Sequence, residues 1–238
     1  MRNVLVTGGS RGVGLAVAQM LAADGYRVLV LARKPSAELD AAMAGAEIHF
    51  TPFDLGDLEA IPELVRGLKA AHGPFYGLVN NAALGTSGLL ANIHNSDIEA
   101  LLKINIQAPI LLTKYVSRAM MTAGEGRIVN ISSIVGSTGY SGLSVYSATK
   151  SAMLGFTRSL AREVGRMGIT VNAVAPGYMK TDMTGEMSDA QRDKIAARSA
   201  LQRLVEVEDV ARMVAFLMGE GGRNITGTVM TVDAGNTV

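Results

Sequence analysis

Seven short apolar runs alternate with longer amphipathic stretches along the 238 residues. This predicts an α/β fold: a doubly wound, parallel, seven-stranded sheet with helices on both faces. The strand runs are almost unbroken in apolar residues, as strands covered on both faces must be. A glycine-rich turn also joins the first strand to the first helix, where such sheets bind ligands.

The strand runs are Asn3 to Thr7, Tyr26 to Ala32, Ala46 to Asp54, Tyr76 to Ala82, Gly126 to Ser133, Gly168 to Pro176 and Gly227 to Gly235. Between them, Val13, Val17, Met20 and Leu21 recur at helical spacing. Asp57 opens a second helical pattern, closed near Gly73, and a third runs from about Ser96 to about Thr122. Ser96 with Glu99 three residues on reads as a capping box. Val145 to Gly165 is helical with small residues on one side; Glu208 to Gly219 forms another amphipathic helix. With no linker, tandem repeat or low-complexity stretch, residues 1–238 are expected to form one domain.

Composition narrows the function. Lys and Arg number 22 against 21 Asp and Glu, a net charge of +1 that supplies no footprint for nucleic acid or an anionic membrane. Hydrophobic residues at 48% exclude disorder. Zero cysteines exclude a disulfide framework or thiolate site, and three scattered histidines (His49, His72, His94) make a metal cluster unexpected. No run of about 18 residues stays apolar, and no signal-peptide pattern precedes the first strand. Together these predict a cytoplasmic location. The 27 glycines are in excess without any collagen-like triplet, so their use is local.

The first such use is Thr7 to Gly14, TGGSRGVG, with Gly8, Gly12 and Gly14 in G-x-x-x-G-x-G spacing. A strand-to-helix turn of this kind aims backbone N–H groups and the positive helix end at an anion, and glycine lets the chain approach a pyrophosphate closely. Gly8, Ser10, Arg11, Gly12, Val13 and Gly14 are therefore candidate cofactor residues of a Rossmann-type site. The second strand ends in Ala32-Arg33-Lys34 with no acid. Arg33, with Arg11 within reach, suits a 2′-phosphate rather than a bare ribose hydroxyl, which predicts NADP(H). Farther on, Tyr146 and Lys150 are four apart and share a helix face, and Ser133 ends the fifth strand. Ser147 to Lys150 spells S-x-x-K, but the companion motifs of serine acylases are missing.

TGGSRGVG, Asp54, NNAA (Asn80 to Ala83), Asn105, Ser133, YSATK (Tyr146 to Lys150) and PGYMKT (Pro176 to Thr181) occur in an order that resembles the short-chain dehydrogenase/reductase family. The likeness covers nearly the whole chain and is strongest toward reductases of 3-oxoacyl groups on acyl carrier protein. It implies reduction of a ketone by NADPH. Tyr146 would donate the proton, and Lys150 would lower its pKa and hold the nicotinamide ribose. Ser133 would position the carbonyl oxygen, and Asn105 would hold a proton-relaying water. It further implies that Asp54 and Leu55 border the adenine, that Asn81 and Ala82 line the cofactor crevice, and that Pro176, Gly177, Met179 and Thr181 border the nicotinamide. Family members are typically homotetramers packed through the two long helices and the last strand.

The sequence departs from the family pattern in two ways. Ala83 stands where glycine is commonest, and Gly124 and Met167 stand where many acyl-carrier reductases place basic residues, with Arg127 and Arg166 close by. The substrate is thus a small molecule or an acyl-carrier-protein-linked one. A same-family enzyme acting on a sugar, polyol or steroid is the alternative, and a catalytically silent NADP-binding regulator a third reading. Substrate choice is expected to lie in residues 83–90, 134–143 and 178–198, the last a Met-bearing lid. Arg33→Asp should cut the NADPH-to-NADH ratio of kcat/KM by roughly ten- to a hundredfold, the worth of a charged hydrogen bond; an unchanged ratio would exclude Arg33 from phosphate recognition.

Overall fold

A computed structural model describes residues 1–179 and 189–238. Seven parallel strands appear among them: β1 (Asn3–Thr7), β2 (Arg27–Ala32), β3 (Ile48–Pro52), β4 (Phe75–Asn80), β5 (Gly126–Ile131), β6 (Ile169–Pro176) and β7 (Val229–Val232). Their order in the sheet is β3-β2-β1-β4-β5-β6-β7. The chain winds outward from β1 through β2 to β3, then returns to the middle and winds the other way from β4. The carboxyl ends of β1 and β4 therefore diverge into a crevice, which is where an open α/β sheet binds its ligand.

Alternate side chains of each strand serve opposite layers. Val4, Val6, Val28 and Val30 enter the core beneath α1 (Gly12–Ala23) and α8 (Val207–Met218). Leu5, Leu29 and Leu31 enter the core beneath α3 (Ile61–His72), α5 (Ala108–Ala123) and α6 (Ser144–Val164). In β1 and β2 the branched valines line one face and the leucines the other. Burial on both faces explains the unbroken apolar runs.

A buried polar ladder crosses the second core. Asn80 Nδ2 donates to Thr113 Oγ1 (2.9 Å) and to Asn130 Oδ1 (2.8 Å), and Asn130 Nδ2 donates to Thr157 Oγ1 (2.8 Å). It ties β4 and β5 to α5 and α6 with directional bonds, which apolar contact alone cannot supply.

Three local expectations change. The long helix expected from 96 to 122 is α4 (Asn95–Leu102), a π-helical segment at Lys103–Gln107, and α5. Ala108 N–H donates to the Lys103 carbonyl five residues back. Pro109 has no N–H to offer the carbonyl four residues before it, that of Asn105, so a regular helix loses a bond there. Ser96 is not a cap: α4 begins at Asn95, after His94, with no side-chain cap. The reciprocal box lies at α8, between Glu206 and Asp209. Helix α2 (Ala37–Gly45) was not expected, because only Leu39 is buried along it and no apolar stripe announces it. The short helix expected before α8 is α7 (Asp189–Arg198).

Candidate active site

The first wall of the crevice is the glycine loop. The Thr7 hydroxyl accepts from Asn81 N and Ala82 N, both at 3.0 Å. Asn81 Nδ2 reaches back to the carbonyls of Thr7 (2.9 Å) and Gly8 (3.2 Å). This clamp holds the ends of β1 and β4 together at their divergence. Gly8 has φ +68°, and a Cβ there would stand 2.9 Å from Ala82 Cα. A Cβ on Gly14 would run into the Gly8 carbonyl. Gly12, φ +55°, has nothing within 4 Å of where a Cβ would be. The loop is thus closed toward the protein at Gly8 and Gly14 and exposed at Gly12. No side chain caps the start of α1, so its first N–H groups remain available to an anion.

At the edge of this loop, Arg11, Arg33 and Lys34 are exposed. Ser36 caps α2 by accepting from Leu39 N (3.1 Å) and donates to the Ser10 carbonyl (2.6 Å). That bond fixes the turn carrying Arg33 against the glycine loop. Asp54 is exposed and uses one carboxylate oxygen to accept from Gly56 N (2.8 Å), while Leu55 packs on the second core.

The second wall is built where β5 meets α6. Ser133 stands two residues past β5, and its Oγ accepts from Val135 N at 3.4 Å, capping a short turn. Tyr146 lies in the first turn of α6 and Lys150 one turn later, with Nζ 5.6 Å from the Tyr146 ring centroid. Lys150 is 4% exposed, and its ammonium donates to the Ile131 carbonyl at 2.9 Å. Ser132 Oγ donates to the Lys150 carbonyl (2.9 Å). A Cβ on Gly136 would come within 3.1–3.2 Å of Lys150 C, Ser132 Oγ and Ser151 N, so the turn after Ser133 packs directly on α6.

Asn105 joins this wall from the π-helical segment. Its Nδ2 donates to the Leu84 carbonyl (2.9 Å) and to Thr149 Oγ1 (3.1 Å), and its Oδ1 accepts from Leu84 N (2.8 Å). Thr149 Oγ1 in turn donates to the Tyr146 carbonyl (2.7 Å). Thr149 thus links Asn105 to the Tyr146 backbone, and Lys150 lies one turn on, while Ser133 stands in the turn that packs on the same helix. The side chain of Asn105 bonds Leu84 and Thr149. Thr7, Ser132, Thr149 and Ser36 were not singled out by sequence reading; a hydroxyl one residue from a candidate (Ser132, Thr149) was the available signal.

The third wall follows β6. Gly177 N donates to the Val232 carbonyl (2.8 Å), and a Cβ there would stand 2.8 Å from Asp233. Met179 pairs with Val205 in an isolated bridge. Thr181 lies outside the described residues, as do Met183, Met187 and most of the expected lid before α7.

Burial dominates the electrostatics. It pushes the Tyr146 phenol up to about 12 and the Lys150 ammonium down to about 8. The expected lowering of Tyr146 by Lys150 is therefore not produced by the chain alone. Tyr146 is held neutral across the physiological range.

The family model for short chain dehydrogenases matches residues 2–192. The chain belongs to the short chain dehydrogenase family. It is 38% identical to a 3-oxoacyl-[acyl-carrier-protein] reductase of Escherichia coli strain K12 over 232 residues, 97% of this chain and 95% of that one. It is 36% identical to nodulation protein G of Rhizobium sp. strain N33 over 235 residues, 98% of this chain and 96% of that one. Among solved structures, a blue fluorescent protein from a metagenomic library, in complex with NADPH, matches with a TM-score of 0.90 and 35% identity, covering 100% of this chain and 98% of that one. Membership makes the chain an oxidoreductase.

A lysine whose folded pKa is lowered binds fewer protons folded than unfolded between about 8 and its ordinary 10.5. Its cost to stability is full below 8 and is relieved as pH rises through that window. Tyr146, raised from 10.0 to about 12, acts the other way, but only above 10. In urea denaturation of the ligand-free protein, the stability of wild type relative to Lys150→Met should rise by about 2 kcal/mol between pH 8 and 10. Parallel profiles would show that Lys150 keeps an ordinary pKa.

Proposed function

We propose that this chain reduces the 3-keto group of an acyl chain carried on acyl carrier protein to the 3-hydroxyl, using NADPH, as a step of fatty acid synthesis in the cytoplasm. The observation that carries the reaction type is the Tyr146–Lys150 pair, anchored through the Lys150–Ile131 bond of 2.9 Å and set one turn apart beside Ser133. The likeness to the Escherichia coli reductase supports the acyl substrate.

The chain's own groups fit the cofactor. The open face at Gly12 and the uncapped start of α1 suit a pyrophosphate, held by Gly8, Ser10, Arg11, Gly12, Val13 and Gly14. Arg33 and Arg11 suit the 2′-phosphate, and no acid stands at the end of β2 to repel it. Asp54 and Leu55 border the adenine; Asn81 and Ala82 line the crevice floor; Pro176, Gly177 and Met179 border the nicotinamide. When bound, NADPH supplies the hydride. Ser133 Oγ donates to the substrate carbonyl oxygen and polarises it. The Tyr146 hydroxyl, protonated throughout the neutral range, gives its proton to the developing alkoxide. Lys150 holds the ribose hydroxyls and places a cation beside the phenol. Asn105 positions Tyr146 through Thr149.

An apolar substrate fits the mouth of the crevice better than a sugar or polyol. Leu89 and Leu90 are 65% and 58% exposed, and Tyr140 48%, on loops that share a backbone bond from Gly88 N to the Gly142 carbonyl (2.9 Å). Further copies of the chain are the expected partners, in a homotetramer. Leu102, Ile110 and Met121 are exposed along α4 and α5, Phe216 is exposed on α8, and β7 is an edge strand. One domain, residues 1–238, carries both cofactor and substrate sites.

NADPH oxidation with acetoacetyl-acyl carrier protein, set against a panel of small ketones, sugars and polyols, tests the substrate. The carrier-linked substrate should give the highest kcat/KM, and preference for a polyol or sugar would replace this reading. Tyr146→Phe should lower kcat by about 10²- to 10⁴-fold, the usual worth of a positioned acid, while NADPH still binds as followed by its fluorescence. Wild-type turnover in that variant would exclude Tyr146 as the donor.

A further inference from the structure

Beyond the catalytic cluster, a pair of tyrosines stands at the substrate side of the crevice. Tyr140 lies in the loop between Ser133 and Tyr146; Tyr178 lies two residues past the end of β6. Their ring centroids are 5.6 Å apart and tilted by 55°. The backbone fixes both. Leu143 N donates to the Tyr140 carbonyl (3.2 Å), and the same loop is tied at Gly142 to Gly88. Tyr178 follows Gly177, which is bonded to Val232, and its own carbonyl accepts from Val205 N (3.4 Å).

The Tyr178 hydroxyl is buried and has no hydrogen-bond partner among the described residues. Tyr140 lies close enough to raise the Tyr178 phenol further after burial has raised it, yet the two hydroxyls make no aligned hydrogen bond. A buried hydroxyl without a partner is costly and uncommon. Elsewhere in the molecule, the hydroxyls of Tyr26 and Tyr76 both find the Met218 carbonyl, at 3.3 and 3.0 Å.

Tyr178 also stands close to Ser133 along the sheet edge. Strands β5 and β6 are neighbours, with Ile131 paired to Val174 and Ser132 N donating to the Val174 carbonyl (2.7 Å). Ser133 and Tyr178 therefore leave adjacent strands at the same carboxyl edge, and neighbouring strands are only about 4.8 Å apart. A substrate whose reacting carbonyl sits at Ser133 therefore lies beside the strand end that carries Tyr178.

We propose that Tyr178 donates its hydroxyl to a second carbonyl oxygen of the substrate, two carbons from the one reduced, and that Tyr140 holds its ring in place. This rests on the reductase reading above and deepens it: the site selects 1,3-dicarbonyl compounds, of which a 3-oxoacyl thioester is one, over isolated ketones. The preference resides in the chain itself and does not require the carrier protein.

The test compares two small probes with NADPH: the 3-oxobutanoyl thioester of N-acetylcysteamine, and its analogue in which a methylene replaces the thioester carbonyl. For wild type the thioester should give the higher kcat/KM. In Tyr178→Phe the thioester-to-ketone ratio should fall by about tenfold, the worth of one neutral hydrogen bond. The urea midpoint of ligand-free Tyr178→Phe should equal or exceed that of wild type, because an unpartnered buried hydroxyl is removed. A ratio preserved within twofold, or a lower midpoint, overturns the inference and leaves the reductase reading standing. Wild-type protein inactive on the thioester and on acetoacetyl-acyl carrier protein overturns both.

Discussion

The site depends on one bond, from the buried ammonium of Lys150 to the main-chain carbonyl of Ile131. An ammonium with almost no water around it is expensive, and here burial draws its pKa down to about 8. Main-chain attachment makes the arrangement rigid, since Ile131 is the last residue of β5 and paired in register with Val174. The lysine is thereby referenced to the sheet and not to a loop. Tyr146, one turn earlier on α6, inherits that placement, and Ser133 inherits it through the turn that packs on the same helix.

The two sides of the crevice use different means to the same end. On the glycine-loop side, Thr7 and Asn81 knit the diverging ends of β1 and β4, and the start of α1 carries no side-chain cap. On the other side, the hydroxyls of Ser132 and Thr149 donate to the α6 carbonyls of Lys150 and Tyr146, and Thr149 accepts from the Asn105 side-chain amide. In both, short polar side chains spend most of their hydrogen bonds on the backbone. Such bonds hold geometry more tightly than apolar packing, because they are directional.

The sheet was readable because each strand is buried on both faces, and the helices at α1, α3, α6 and α8 because their apolar residues recur with the helical period. The candidate residues were readable from their order along the chain. What escaped were features with no period: α2, with one buried side chain, and the links of Ser36 to Ser10 and of Thr7 to Asn81, which join residues 26 and 74 apart. The π-helical segment escaped for another reason. Its apolar residues fit an uninterrupted helix, and only Pro109 pointed to a fault in it. Asn105 bonds Thr149 beside Tyr146, and its side chain also serves the backbone of Leu84, a partner that no spacing along the helix reveals.

That π-helical segment also couples the inside of the molecule to its outside. One residue more than an α-helix needs is accommodated between α4 and α5, which turns everything after it by about 100° about the helix axis. Losing a single residue there would restore regular winding, withdraw Asn105 from Leu84 and Thr149, and swing the outer row containing Ile110 and Met121 away from Leu102. Loss of the catalytic arrangement and of the outward-facing surface would come from the same event. A lineage of this fold could then change one residue of length in this helix only by remaking both at once, so the segment resists insertion and deletion in a way that its exposed neighbours do not.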